Sequence, residues 1–384
     1  VTPGYGDMNA VKPASPDLTH LKYETITSNN IGVDFGLFSD KVNFTFELYK
    51  KVTDDLLQKK MKVPSSTGLS TVAWYNSGKI QNKGWEFNID IAAVKTKDWS
   101  FNFGFNISQN KNEILELPEN KNDELYTFGN KNYAYSVMMG DPLGSFYGYR
   151  YKGVYQNVEE TYAVNTSGQR ILDIDGNPVV MKNGDQKVYP GDARYEDVNG
   201  DGVIDENDIV YLGNSNPTLT GGLNFTLRYK KVSLVAAFHG RAGQKVINQA
   251  RMDMENMRGK NNQSVAVLRR WRSEGDDTDI PRALYDKGYN YLGSDRFVED
   301  ASFLRLKTVT LKYQMPAKWM KAIGVNKLEL YATGYDMFVW TKYKGQDPEV
   351  NLKAANDGTV AQVAIDLNNT PKPFKIAFGL NLNF

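Results

Sequence analysis

PFKIAFGLNLNF, residues 373–384, is the stretch on which the fold turns. Taken by twos, Phe374, Ile376, Phe378, Leu380, Leu382 and Phe384 are all apolar, with Lys375, Ala377, Gly379, Asn381 and Asn383 between them. A β-strand sends alternate side chains to opposite faces, so this segment has one greasy face and one wet face. What the greasy face touches decides the class of protein.

The alternation recurs upstream. Ile31, Val33, Phe35 and Leu37 share a face, then Val42, Phe44, Phe46 and Leu48. Trp85, Phe87, Ile89, Ile91 and Ala93 follow, then Trp99, Phe101, Phe103, Phe105 and Ile107. GLNFTLRYK and VSLVAAFHG flank Lys230-Lys231, and NKLELYATG alternates around Leu328, Leu330 and Ala332. In FLRLKTVTLKY the apolar phase slips between Leu306 and Val309, which predicts a bulge. With the last segment these make nine strands.

Composition narrows the classes. The 384 residues carry 46 basic and 45 acidic side chains, so no basic footprint for nucleic acid stands out. No cysteine is present, which excludes disulfide scaffolds and thiolate metal sites. His20 and His239 are the two histidines, too few for a histidine metal centre. No apolar run reaches the ~18 residues of a membrane helix. Nor does any Ser/His/Asp ordering or phosphate-binding glycine loop emerge, and Asp276-Asp277 reads as a solvated surface pair; the sequence predicts no enzyme.

The connections carry more information than the strands. Short turns fall near 39–40, 95–98 and 230–231, with a medium one near 314–326. Long polar stretches fill about 53–83, 109–218, 240–300 and 339–372. Short and long alternate, so one end of the structure has tight turns and the other has long loops. That is the arrangement of an all-β, transmembrane antiparallel β-barrel with long extracellular loops. Asp34, Glu47, Glu86, Asp90, Arg228 and Lys375 on the wet face would line the lumen, and the apolar face would meet lipid. Trp85 and Trp99, flanking one short turn, would suit an interfacial girdle. The alternative is a soluble barrel or sandwich with its apolar face inward, which period alone does not distinguish. Nine is an odd count, whereas bacterial single-chain barrels are even, so further strands are expected upstream.

Within the 109–218 stretch, DVNGDGVIDEND at 197–208 follows the calcium-loop rule. Asp197, Asn199 and Asp201 offer oxygen at positions one, three and five, and Gly202 makes the turn at six. Val203 supplies a carbonyl at seven, Asp205 stands at nine, and Asp208 at twelve. The expectation is a structural Ca2+; the plainer reading is an acidic Asx turn without an ion. The aromatic run Phe146, Tyr147, Tyr149, Tyr151 and Tyr155 is either loop core or a surface for stacking on sugar rings. In the 240–300 stretch a short helix is expected over 263–272, with Val265, Leu268 and Trp271 on one face. That face either packs on its own loop or receives a lid or partner.

Six segments together resemble one family. They are SPDLTHLKYETITSNNIGVDFGLF at 15–38, NSGKIQNKGWEFNIDI at 76–91, GDPLGSFYGYRYKGVY at 140–155, GDARYEDVNGDGVIDEND at 191–208, ASFLRLKTVTLKY at 301–313 and GQDPEVN at 345–351. Their order is similar to that in SusC/RagA-type TonB-dependent outer-membrane transporters, and the likeness covers residues 1–384. It implies the C-terminal part of such a transporter, the last nine or so strands of an about 22-stranded barrel. The plug domain and TonB box of that family are absent from this chain. The resemblance further implies a cell outer membrane location in contact with bilayer and lipopolysaccharide, and import of glycans or peptides. The implied partners are a SusD-like surface lipoprotein acting as a lid and the TonB complex acting through the N-terminal part. Phe384, by its position, is implied in barrel assembly. A passive porin and a soluble, calcium-stabilised glycan-binding or adhesin protein are the competing readings.

Overall fold

Nine long antiparallel strands form one continuous wall in which every strand pairs with the next in sequence. The computed structural model describes residues 21–62, 71–117, 126–127, 133–135, 138–285, 288–322, 324–354, 362–368 and 370–383; His20 and Phe384 lie outside these. The wall strands are β1 (Thr25–Leu37), β2 (Val42–Asp54), β3 (Lys79–Lys95), β4 (Trp99–Glu116) and β5 (Leu219–Tyr229). They continue as β6 (Val232–Ala242), β7 (Phe303–Gln314), β8 (Lys327–Thr341) and β9 (Lys375–Asn383). Several exceed the 9–11 residues of a minimal membrane crossing, so the wall projects beyond the bilayer.

Register turns nine alternating patterns into one surface. Phe35 pairs with Phe44, Phe44 with Ile89, Ile89 with Phe105, and Phe105 with Leu223. The row continues through Leu223–Phe238, Phe238–Leu306 and Leu306–Phe338. A row nearer the short turns runs Leu234, Leu311, Ala332, Phe378. No charged residue interrupts these rows. A slip of one residue at any pairing would send that strand's apolar set to the wet face, so the pairing is strongly specified. Phe378 is 82% exposed and Ile31 71%, and among the described residues no second layer packs over either. A soluble sandwich would bury such residues between its sheets; these have lipid as their solvent.

The opposite face is wet. Glu47 pairs with Glu86, Asn43 with Asp90, Asn106 with Gly222 and Ser233 with Lys312. The expected bulge in β7 is present: the pairing of β7 with both β6 and β8 shifts on either side of Lys307. Lys307 Nζ lies 2.8 Å from Asp336 Oδ1, an ion pair across the irregularity. A second bulge was not expected. Ile91 pairs with Phe103 and Val94 with Phe101, so Ala93 drops out of the outward row that the sequence reading gave it.

The two tryptophans also sit differently from the expectation. Trp99 packs on Tyr229 at the short-turn rim, ring centroids 4.3 Å apart, and Lys230 lies over the same tyrosine. Trp85 pairs with Gln109, far up the same hairpin, where its indole Nε1 donates to Gln109 Oε1 at 2.6 Å. From Trp85 to the turn is about 30 Å at ~3.3 Å per residue. They belong to opposite rims rather than one. Trp340, stacked with Phe238, adds to the second.

The turns fall as the sequence reading places them. Phe38, Ser39 and Asp40 all adopt left-handed backbone, and Lys230 does the same in the two-residue turn. A short helix, α2 (Ala317–Ala322), fills the medium connection between β7 and β8.

Candidate binding surface in the loop body

The long connections gather at one end and fold on one another. One cluster joins Tyr133, Phe146, Ile247, Met252, Phe297, Val363 and Ile365, from three connections far apart in sequence. A second is built from Tyr155, Ala163, Met181, Val188, Ala193, Tyr195, Ile204 and Leu292. Val246, Ala301, Tyr343 and Ala364 form a third. Their packing makes a folded body over the open end of the wall.

Buried charge ties this body down. Arg305, only 3% exposed on β7, places Nη2 2.7 Å from Asp347 Oδ1 and Nε 2.9 Å from Glu349 Oε2. Lys372 reaches the same Glu349 oxygen at 2.6 Å. Two segments of the family resemblance, ASFLRLKTVTLKY and GQDPEVN, therefore meet in one ion cluster. Arg282 grips Asp192 through two bonds of 2.7 and 3.1 Å. Asn290 completes that junction by accepting from Ala193 N–H and donating to Asp192. Arg296 and Glu255, both nearly buried, pair at 3.0 Å, and Arg251 bridges Glu255 to Glu299. None of these pairings was anticipated from the sequence. The signal available was complementary charge in two of the motif segments.

The 197–208 loop is closed by its own hydrogen bonds. Asp197 accepts from the N–H groups of Gly200 and Gly202, and Asp201 from Val203 N–H. Asp205 caps a single 3-10 turn, Glu206–Asp208, and Asp208 accepts from Val198 and Asp205 N–H. Burial, with the charge of Asp197 adding to it, pushes the Asp208 carboxyl up despite those backbone bonds. The donor set is all hard oxygen, as Ca2+ requires. Among the described residues, however, no three carboxylate or imidazole groups converge on one point. The Asx turns alone account for the loop's shape, and an ion would have to draw the carboxylates inward.

The candidate contact residues separate. Phe146 and Tyr147 are core, and the Tyr147 hydroxyl donates to Asp141 at 2.5 Å. Tyr155 is buried in the second cluster. Tyr149 and Tyr151 are half-buried at its edge; burial and the charges of Asp208, Asp205 and Glu206 push Tyr149 up to about 12. The helix expected over 263–272 is a correction. It shrinks to a 3-10 turn, Val265–Arg269, with Val265 and Leu268 exposed, and Arg270 returns to extended backbone. Trp271 leaves their face, its backbone N–H donating to the Ile280 carbonyl and its ring covering Gly191. The α-helix of this connection lies earlier: α1 (Gln249–Glu255), capped by Asn248 and braced by the Arg251–Glu255 pair.

Beside the 197–208 loop opens a groove of about 720 Å³, lined by Arg150, Lys152, Arg194, Tyr162 and Glu196 among others. Glu196 lies between Arg150 at 2.9 Å and Lys152 at 3.2 Å, and these partners outweigh burial to hold its carboxyl low. Arg194 lies over the Tyr155 ring. Fixed charges of both signs with aromatic faces suit a large polar ligand better than an apolar one.

Comparisons agree with this architecture. Residues 1–184 match the model of the TonB dependent receptor-like, beta-barrel family. TonB-dependent receptor P26 of Formosa agariphila is 33% identical over 379 residues, covering 97% of this chain and 36% of the relative. TonB-dependent receptor SusC of Bacteroides thetaiotaomicron is 28% identical over 376 residues, 95% of this chain and 32% of the relative. The chain thus spans about a third of the curated relatives it matches. Among solved structures, the RagAB peptide transporter superposes with a TM-score of 0.72 at 22% identity, over 100% of this chain and 38% of that one. Over nearly its whole length the chain is thus similar to part of the TonB-dependent receptors, SusC among them, and its nine-stranded wall has the fold of part of such an outer-membrane β-barrel.

Proposed function

We propose that the protein containing this chain imports large nutrients, glycans or peptides, across the outer membrane with energy supplied through TonB. The observation that carries the reading is a folded loop body with a polar, aromatic groove, set over a lipid-facing wall. SusC and the RagAB peptide transporter, both similar to this chain, favour the same class. A SusD-like surface lipoprotein would dock on the loop body, where Val265 and Leu268 are open. Phe384 would act in barrel assembly. Ca2+ at 197–208 would stiffen the groove's edge, on the strength of its donor order.

Uptake of labelled oligosaccharides and of labelled peptides by cells expressing the full-length protein tests this. Uptake of one class should stop when TonB is deleted. Uptake that continues without TonB would instead indicate a passive porin. For the ion, chelation should lower the loop body's melting temperature and Ca2+ should restore it; an unchanged melting curve leaves the Asx turns as the whole account.

A further inference from the structure

On the other side of the 197–208 loop lies a separate cavity of about 190 Å³, between the first and second clusters. Tyr133, Tyr149 and Tyr289 contribute to its walls, with Ile209 and Leu292. Among the described residues its charged lining side chains are Asp205 and Glu206, with no lysine, arginine or histidine. Glu206 is exposed and has no ion-pair partner among the described residues.

Asn183 also lines it. This side chain is only 4% exposed, and its Oδ1 has no hydrogen-bond partner among the described residues. A buried amide oxygen left unpaired costs about 1–3 kcal/mol, so native structures seldom keep one without a use. The Asn183 backbone is fixed by pairing with Gln186 on one side and Ile204 on the other. The residue is therefore held between this cavity and a neighbouring one lined by Lys187 and Arg282, rather than free to turn to water.

Tyrosine faces attract cations, and carboxylates with an amide oxygen accept hydrogen bonds from them. We propose that this cavity is a recognition site for a primary ammonium group on a short aliphatic stem, such as a lysine side chain. The aromatic walls would hold the stem, with Glu206 and Asp205 balancing the charge and Asn183 Oδ1 accepting one ammonium hydrogen. The site goes beyond the import reading, because ligand binding here is measurable whether or not the protein transports anything.

The test uses the full-length protein in detergent and two probes, Nα-acetyl-lysine methylamide and its norleucine counterpart, compared by saturation-transfer NMR. The lysine compound should bind at least tenfold more tightly. Glu206→Gln, at an exposed position, should weaken lysine binding about tenfold and leave norleucine unchanged. Asn183→Asp, nearly isosteric, should strengthen it severalfold. Equal binding of the two probes overturns the proposal, as does an indifferent Glu206→Gln. Displacement of the lysine probe by millimolar Ca2+ also overturns it, since the acidic groups would then serve the metal.

Discussion

The wall and the loop body solve the same problem in opposite directions. In the wall, Ile31, Phe378 and their neighbours face outward, and the polar side chains line the inner face. In the body, Phe146, Tyr155, Phe297 and Ile247 are fully buried and the charges lie mostly outside. The aromatic-rich chain serves both because the surroundings differ: lipid accepts what water rejects. Where the body does bury charge, it does so in pairs, as at Arg305 and Arg296.

The largest expected effect tests the joint between the two regions. Arg305→Ala leaves Asp347 without its cation and Glu349 with Lys372 alone, and breaking a buried pair of this kind costs about 3–5 kcal/mol. Denaturant unfolding should show that loss, with earlier proteolysis in 344–354. A cost below 1 kcal/mol would mean the loop is held elsewhere.

Next comes the contrast of faces on a single strand. Phe105→Arg puts a charge on the outward face of β4 and should cost about 2–4 kcal/mol in bilayer folding, while Asn106→Arg on the lumen face should cost far less. Equal costs would break the lipid assignment. Within the body, Gly191 has φ of +90°, and a Cβ there would fall 2.2 Å from the Trp271 ring. Gly153, at φ +98°, has open space around it. Gly191→Ala should therefore destabilise the body by more than the ~1 kcal/mol of backbone strain expected for Gly153→Ala.

The smallest effect is acidic. Burial acts to raise the Glu349 carboxyl, but the Lys372 hydrogen bond and the charges of Lys372, Arg305 and Lys307 outweigh it and hold the group below 4.5. A depressed folded value stabilises fully above the unfolded one and is lost as pH falls through the folded one. Protease resistance of 344–354 should therefore decline below about pH 4.5, its ordinary value. Glu349→Gln should remove that part of the decline.

The wall was legible because its period is two and its solvent is uniform. Nine segments alternate, and the β7 bulge showed itself as Leu306 and Val309 falling out of phase. The bulge at Ala93 did not, since Ala92, Ala93 and Val94 are all apolar and the phase is blurred. The body is different in kind. Ala193 meets Asn290 across 97 residues, and Arg305 meets Asp347 across 42. No local pattern announces such contacts. The helix over 263–272 failed for a related reason: Trp271 is captured by Gly191 and Ile280, a tertiary pull that spacing along the chain does not reveal.

The strand order carries a consequence in time. Each wall strand pairs with the one made just before it, so the sheet can grow hairpin by hairpin with little loop-closure cost. The first cluster needs Tyr133, Ile247 and Val363 together, and these arrive on three successive hairpins. The body is therefore the last part to form. In refolding, strand signal should be nearly complete while the loops are still open to protease, and that interval is when the incomplete chain is exposed to degradation.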